Sequence, residues 1–187
     1  SVTDQLQLQR HRKWSVMDYL AMGYRCGNWE LFVNGTVNHN NTLTTGTTTN
    51  TLVYNGRKTV VGSSQHNSYP TVAVKSGFDY TGGAQSFGAY YRYNPERGDF
   101  GNSGTEWLDN NPALYRDIDK RIRSHSHLAS LYYENTFSEK YMLHFDGDFR
   151  QSNTDNSVAT TYPQSSTPDV YSTEKRSSTL WAGKLYL

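Results

Sequence analysis

From Tyr141 to Arg150 the chain alternates. Tyr141, Leu143, Phe145, Gly147 and Phe149 hold the odd positions, and Met142, His144, Asp146, Asp148 and Arg150 the even ones. A period of two over this length belongs to a strand with one apolar and one polar face. The same pattern predicts strands near 14–26, 29–40, 71–81, 84–94, 124–136, 140–152 and 178–187, and an eighth if the first dozen residues contribute one. Each is about 10 to 13 residues long, beyond the usual soluble strand of about 5–6 and enough to cross a bilayer at a tilt of about 45°.

The connections alternate as well. Short turns are expected at Gly27-Asn28, Gly82-Gly83 and Phe137-Ser138-Glu139, and long loops of about 25–30 residues at 41–70, 95–123 and 153–177. A two-residue turn at Gly27-Asn28 pairs Cys26 with Trp29, Leu31 with Tyr24 and Met22 with Val33, and sets Arg25 against Glu30. The turn at Gly82-Gly83 pairs Phe78 with Phe87 and Val74 with Tyr91. The turn at 137–139 pairs Tyr133 with Leu143 and Leu131 with Phe145. All three registers keep apolar and polar faces apart, as a one-residue slip would not. Asp18 resists the pattern, falling between Val16 and Leu20 on the apolar face; either it meets the headgroup zone or a bulge shifts the face there.

Two-faced strands, tight turns on one side and long loops on the other predict an all-β, antiparallel, up-and-down transmembrane β-barrel. Residues 1–187 are read as one barrel segment, a meander of seven or eight long strands from a larger barrel. The apolar face would meet lipid. The other face would line a wet lumen with Glu30, Lys75, Asp79, Arg92, Asp146, Asp148 and Arg150.

Composition agrees. Hydrophobic residues make up 35%, with 15 Tyr and 4 Trp, too few aliphatics for a thick dry core and too many aromatics for a disordered chain. A net charge of +1, with basic residues scattered, argues against nucleic acid as a partner. One cysteine, Cys26, permits no internal disulfide. No stretch approaches the roughly 18 apolar residues of a transmembrane helix. The first residues, Ser1-Val2-Thr3-Asp4-Gln5, lack the features of a signal peptide.

Three segments repeat an aromatic strand, a tight turn and a returning aromatic strand: residues 26–35 (CGNWELFVNG), 75–94 (KSGFDYTGGAQSFGAYYRYN) and 137–149 (FSEKYMLHFDGDF), with a further strand from Ser178 to Lys184. This resembles the barrel portion of TonB-dependent-receptor-like outer-membrane proteins of the Bacteroidetes type. The resemblance spans nearly the whole chain, through a loose pattern without a fingerprint residue. It implies a place in the bacterial outer membrane, a barrel of about 22 strands, a plug domain, TonB as energy source, and a surface lipoprotein as a further partner. Neither the plug nor the TonB box is visible here. The ending Tyr186-Leu187 lacks the family's terminal aromatic residue, which is expected of a fragment.

Candidate chemistry is sparse. His125 and His127 share a strand face at a spacing that can chelate, but no third ligand is evident, so no metal is expected. Asp146-Gly147-Asp148 lies in a strand and lacks the closing Glu of a calcium loop. Gly98 to Gly104 is glycine-rich without the Lys-Ser/Thr of a phosphate loop. Cys26 has no identified base. No cofactor and no enzyme activity are expected. The long loop 95–123 is expected to be extracellular and holds the ligand-contact candidates Trp107, Tyr115, Lys120, Arg121 and Arg123. The same basic residues suit lipopolysaccharide phosphates. Thr42 to Thr51 reads as a low-complexity loop or a strand extension beyond the membrane.

Three functions compete: a segment of an outer-membrane receptor or transporter for TonB-energised nutrient uptake, a stand-alone small outer-membrane barrel serving as anchor or adhesin, and a secreted soluble β-sandwich that binds carbohydrate. The sandwich would stay dispersed without detergent; the barrels would not, because their apolar face is one large patch.

Overall fold

The computed structural model describes residues 1–10, 13–51, 58–108, 111–138 and 141–187. They form eight strands: β1 (Val2–Arg10), β2 (Trp14–Cys26), β3 (Trp29–Thr51), β4 (Lys58–Gly82), β5 (Gln85–Leu108), β6 (Asn111–Ser138), β7 (Tyr141–Thr161) and β8 (Val170–Tyr186). The strands lie in one antiparallel sheet in sequence order, so the architecture is the expected up-and-down meander. The sheet is open: β1 pairs only with β2 and β8 only with β7. The first residues do contribute a strand, β1.

Most described residues of the segments expected as long loops are strand; 162–169 remain a loop between β7 and β8. Residues 41–51 continue β3, 58–70 begin β4, 95–108 and 111–123 complete β5 and β6, and 153–161 extend β7. For Thr42 to Thr51 the strand-extension alternative holds. Alternation discloses a strand only where its faces meet different media, and these runs of Thr, Ser and Asn are polar on both sides.

Register follows the tight turns. At Gly27-Asn28 every expected pair is present, including Arg25 and Glu30, whose side chains form an ion pair at 3.2 Å. Gly27 has φ 58°, the left-handed conformation such turns need. The second turn falls one residue later, with Gly83 at φ 58° and Gly82 opposite Gln85. Its pairs become Phe78 with Ala89 and Val74 with Tyr93. In the third hairpin Tyr133 faces Phe145 and Leu131 faces Gly147, with Ser138 opposite Tyr141. Glu139, part of the expected turn, lies outside the described residues. Both corrections shift the register by two residues. That leaves every side chain on its face, so the apolar pattern could not tell the alternatives apart.

Two borders drawn on the sheet reveal its geometry. One row crosses Met22, Val33, Ser76, Tyr91, Ala129, Phe149 and Trp181. The apolar run ends on that row in β6, β7 and β8, but at Tyr93 in β5, Val72 in β4, Val37 in β3 and, past Asp18, at Trp14 in β2. The tight turns slide the same way. Β2 ends level with Trp29 and Tyr80, whereas β4 continues past Tyr80 to Gly82 and β6 past its level residue Tyr133 to Ser138. A slide of about one residue per strand, about 3.3 Å along against about 4.8 Å across, means strands inclined by about 35°, the tilt of a barrel wall.

The two faces are unlike. Among the described residues no apolar side chain is buried: Leu31, Val33, Leu131 and Trp181 are 50, 42, 48 and 74% exposed. The charged face is crowded instead. A Cβ at Gly77 would meet Phe32 Cζ and Tyr90 Cβ at 2.7 Å, and one at Gly88 would meet Tyr132 Cε1 at 2.6 Å. On the apolar face, a Cβ at Gly35 would meet nothing within 4 Å. Side chains converge on the inside of a curved sheet and splay outside it, so the charged face is the concave one. Above the upper border the faces exchange character: Ile118, Ile122 and Val158 share the inner side, while Arg97, Asp99, Arg121, Arg123 and Asp155 share the outer. Asp18 remains on the outer face, since β2 runs without a bulge; it sits opposite Leu6 and Val37, and its Oδ1 is buried without a partner.

Gly88→Ala is therefore expected to cost about 1–3 kcal/mol through overpacking, and Gly35→Ala close to nothing. Urea unfolding of the full-length protein in detergent or lipid checks the contrast.

Candidate functional site

All seven residues assigned to the lumen share the concave face, arranged in rows. Glu30 faces Asp79, and the row continues through Gly88 and Tyr132 to Asp146 and Lys184. Four residues higher along the strands, Lys75 faces Arg92, and that row continues through Leu128 to Arg150. Between them run Phe32, Gly77, Tyr90, Ser130 and Asp148. Acids thus sit nearer the tight turns, bases nearer the long hairpin tips, and rings between.

Neighbouring strands fix these side chains. Gly77 leaves room for Phe32 and Tyr90 to flank Lys75, whose Nζ lies 3.9 Å from the Tyr90 ring centroid and 5.2 Å from that of Phe32. A cation so placed gains about 0.5–2 kcal/mol, depending on its exposure. Tyr132 crosses Gly88 and donates its hydroxyl to Asp79 Oδ1 at 3.1 Å. His144 uses both ring nitrogens, 2.8 Å from Asp146 and 3.3 Å from Glu134. Among the described residues Arg92, Asp148 and Arg150 form no ion pair. Such a face can hold charged partners; among its described residues no nucleophile and base stand together.

The rim candidates are split. Trp107 lies in β5, and Tyr115, Lys120, Arg121 and Arg123 in β6, all on paired strands and not on the expected loop. The reason is hairpin pairing that continues past the apolar band. Successive residues on a strand point to opposite sides. Lys120 faces inward, its Nζ 5.9 Å from the Phe100 ring centroid. Arg121 and Arg123 face outward. Trp107 and Tyr115 line an outward, shallow groove of about 500 Å³ with Thr45, Thr47, Ser103 and Thr105. The five therefore make no single site.

Sequence reasoning missed an inward cluster below Lys120. Tyr69 donates to Glu96 at 2.9 Å, Asn94 donates to the other Glu96 oxygen at 2.8 Å, and the Tyr69 and Phe100 rings lie 6.0 Å apart. Burial raises the Tyr69 pKa, and the hydrogen bond to Glu96 and its charge add to the shift. Carrying the two-residue period of the concave face beyond the apolar band would have found it. His125 and His127 have ring centroids 6.1 Å apart, but His127 bonds the Tyr91 hydroxyl and His125 lies 3.5 Å from Asn153 Nδ2. Among the described residues no group of three metal-ligating side chains forms. Cys26 is exposed beside the first turn.

No family model matches the sequence, and no curated protein matches it. Among solved structures the chain is similar to the ferric yersiniabactin uptake receptor FyuA from Yersinia pestis, with a TM-score of 0.62 at 9% identity. The likeness is one of fold. It covers 92% of this chain and 25% of that receptor, so the chain spans about a quarter of the length of the protein it matches. A sheet of consecutive antiparallel up-and-down strands is the shared architecture.

Tyr132→Phe is expected to lower stability by about 1.5 kcal/mol, because it leaves Asp79 without its donor. Tyr24→Phe, on the open apolar face, is expected to change little. Denaturant midpoints of the two full-length variants compare them.

Proposed function

We propose that this chain forms part of the transmembrane barrel of a bacterial outer-membrane receptor for TonB-energised nutrient uptake. The observation that carries the reading is a tilted sheet without a protein core, apolar on its convex side and charged on its concave side. Likeness to the wall of an uptake receptor supports it. In this reading the charged rows face a plug domain and the passage beside it. Bilayer lipid covers the apolar face, where a groove of about 1180 Å³ between side-chain rows offers seats for acyl chains. Lipopolysaccharide surrounds the strands above, and a surface lipoprotein meets the tips. The Bacteroidetes subtype rests on the sequence resemblance of residues 26–35, 75–94 and 137–149.

A soluble sandwich would need a second sheet over Leu31, Leu131 and Trp181, and among the described residues there is one sheet. A small closed barrel would need β1 and β8 to pair, and each has a free edge.

Spin labels at Phe145→Cys and Asp146→Cys, in full-length protein carrying Cys26→Ser and reconstituted in bilayers, test the wall. The first should relax with oxygen and the second with a water-soluble nickel reagent; two dry sites in a particle dispersed without detergent would refute the membrane reading. For transport, deleting TonB should reproduce the growth defect of deleting the full-length gene, and the double deletion should add nothing. Additive defects would reject TonB-energised uptake.

A further inference from the structure

The outer face above the apolar border carries a cluster of cations that the protein itself leaves unanswered. Arg97 of β5 stands directly opposite Arg123 of β6, and Arg121 follows two residues on along the same face. Like charges directly opposite each other on a sheet destabilise it. In the same row Asp155 stands opposite Arg123, and Lys175 opposite Asp155. Yet among the described residues none of Arg97, Arg121, Arg123, Asp155 and Lys175 forms an ion pair. Arg121, Arg123, Asp155 and Lys175 line an outward groove of about 250 Å³. Two exposed arginines held face to face, with carboxylates near but unengaged, leave room for an outside anion.

Position identifies the anion. On each strand the cations lie four to eight residues beyond the last apolar residue: Arg97 after Tyr93, Arg123 and Arg121 after Ala129, Lys175 after Trp181. With about 3.3 Å per residue and a tilt of about 35°, they stand roughly 10–20 Å above the hydrocarbon. They also point the same way as the lipid-facing side chains below them. Farther out on that face of β6 come Asp119 and Asp117, so along β6 the positive charge lies at the level nearer the membrane.

We propose that Arg97, Arg121, Arg123 and Lys175 form a binding site for the phosphate groups of a membrane-anchored, phosphorylated glycolipid of the outer leaflet. Guanidinium forks engage the phosphate oxygens, and Asp155 and Asp99 limit the site to a few phosphates. Lys120, between Arg121 and Asp119 in sequence, points to the lumen and takes no part. The site rests on the membrane reading given above.

The test uses full-length protein extracted gently from membranes, with bound glycolipid phosphate counted per protein. Replacing Arg97, Arg121, Arg123 and Lys175 together by Gln should reduce retained glycolipid about five-fold or more, as loss of charge-assisted contacts predicts. Lys120→Gln should retain the unmodified amount. Rebinding to vesicles carrying the phosphorylated glycolipid should exceed rebinding to the enzymatically dephosphorylated form. Equal retention by both variants, in protein that fractionates with the outer membrane and keeps its β-sheet circular dichroism, overturns this site and leaves the barrel standing. Inorganic phosphate displacing the glycolipid fully at millimolar concentration would reassign the site to a soluble anion. Unmodified protein that fractionates away from membranes would remove the membrane reading and the site together.

Discussion

A sheet in hydrocarbon must satisfy its own backbone, because no water reaches its N–H and C=O groups. Here the internal strands pair on both sides through the apolar band, in one antiparallel series; farther out β3 beyond His39 pairs only with β4, and β6 before Asp117 only with β5. Within the band β1 and β8 each keep a free edge, and in lipid each such edge requires a partner strand. With the backbone so committed, side chains are free to answer to the medium on each face. In the proposed membrane reading that accounts for a sheet whose described residues include no buried apolar core: lipid takes the place of a second layer of protein.

The medium changes along the strand as well as across it. Within the band the convex face is Val, Leu, Tyr and Phe, while the concave face is charged and crowded. Beyond the band the convex face turns to Arg, Asp, Ser and Thr, and the concave face gains Ile118, Ile122 and Val158. The glycines follow the same logic. Gly77 and Gly88 lie where rings from adjacent strands cross the concave face, and a methyl group there has no room. Curvature, tilt and composition thus describe one object, a piece of barrel wall whose strands run well beyond its apolar band.

Charge is layered on both faces. Inside, an acidic row lies below a basic one, with Lys75 held between rings and Asp79 held by Tyr132. Outside, the cations gather just above the apolar border. Both are surfaces suited to holding position against charged neighbours.

The sequence by itself determined the strands within the band, the face each residue takes, the first hairpin's register and the two-sided character of the sheet. It could do so because one apolar and one polar face imprint a period of two. Tertiary structure alone decided the rest. The second and third hairpins sit two residues from the expected register, a shift that changes no face and so leaves no trace in the pattern. Most of the supposed loops are paired strands: in runs such as 41–51 both faces are polar, and across 117–123 the apolar positions fall on the face opposite to the one they take within the band, so the pattern of the band does not continue into them. Lys120 was separated from Arg121 and Arg123 only once those residues were known to be extended, since in a strand adjacent side chains point to opposite sides.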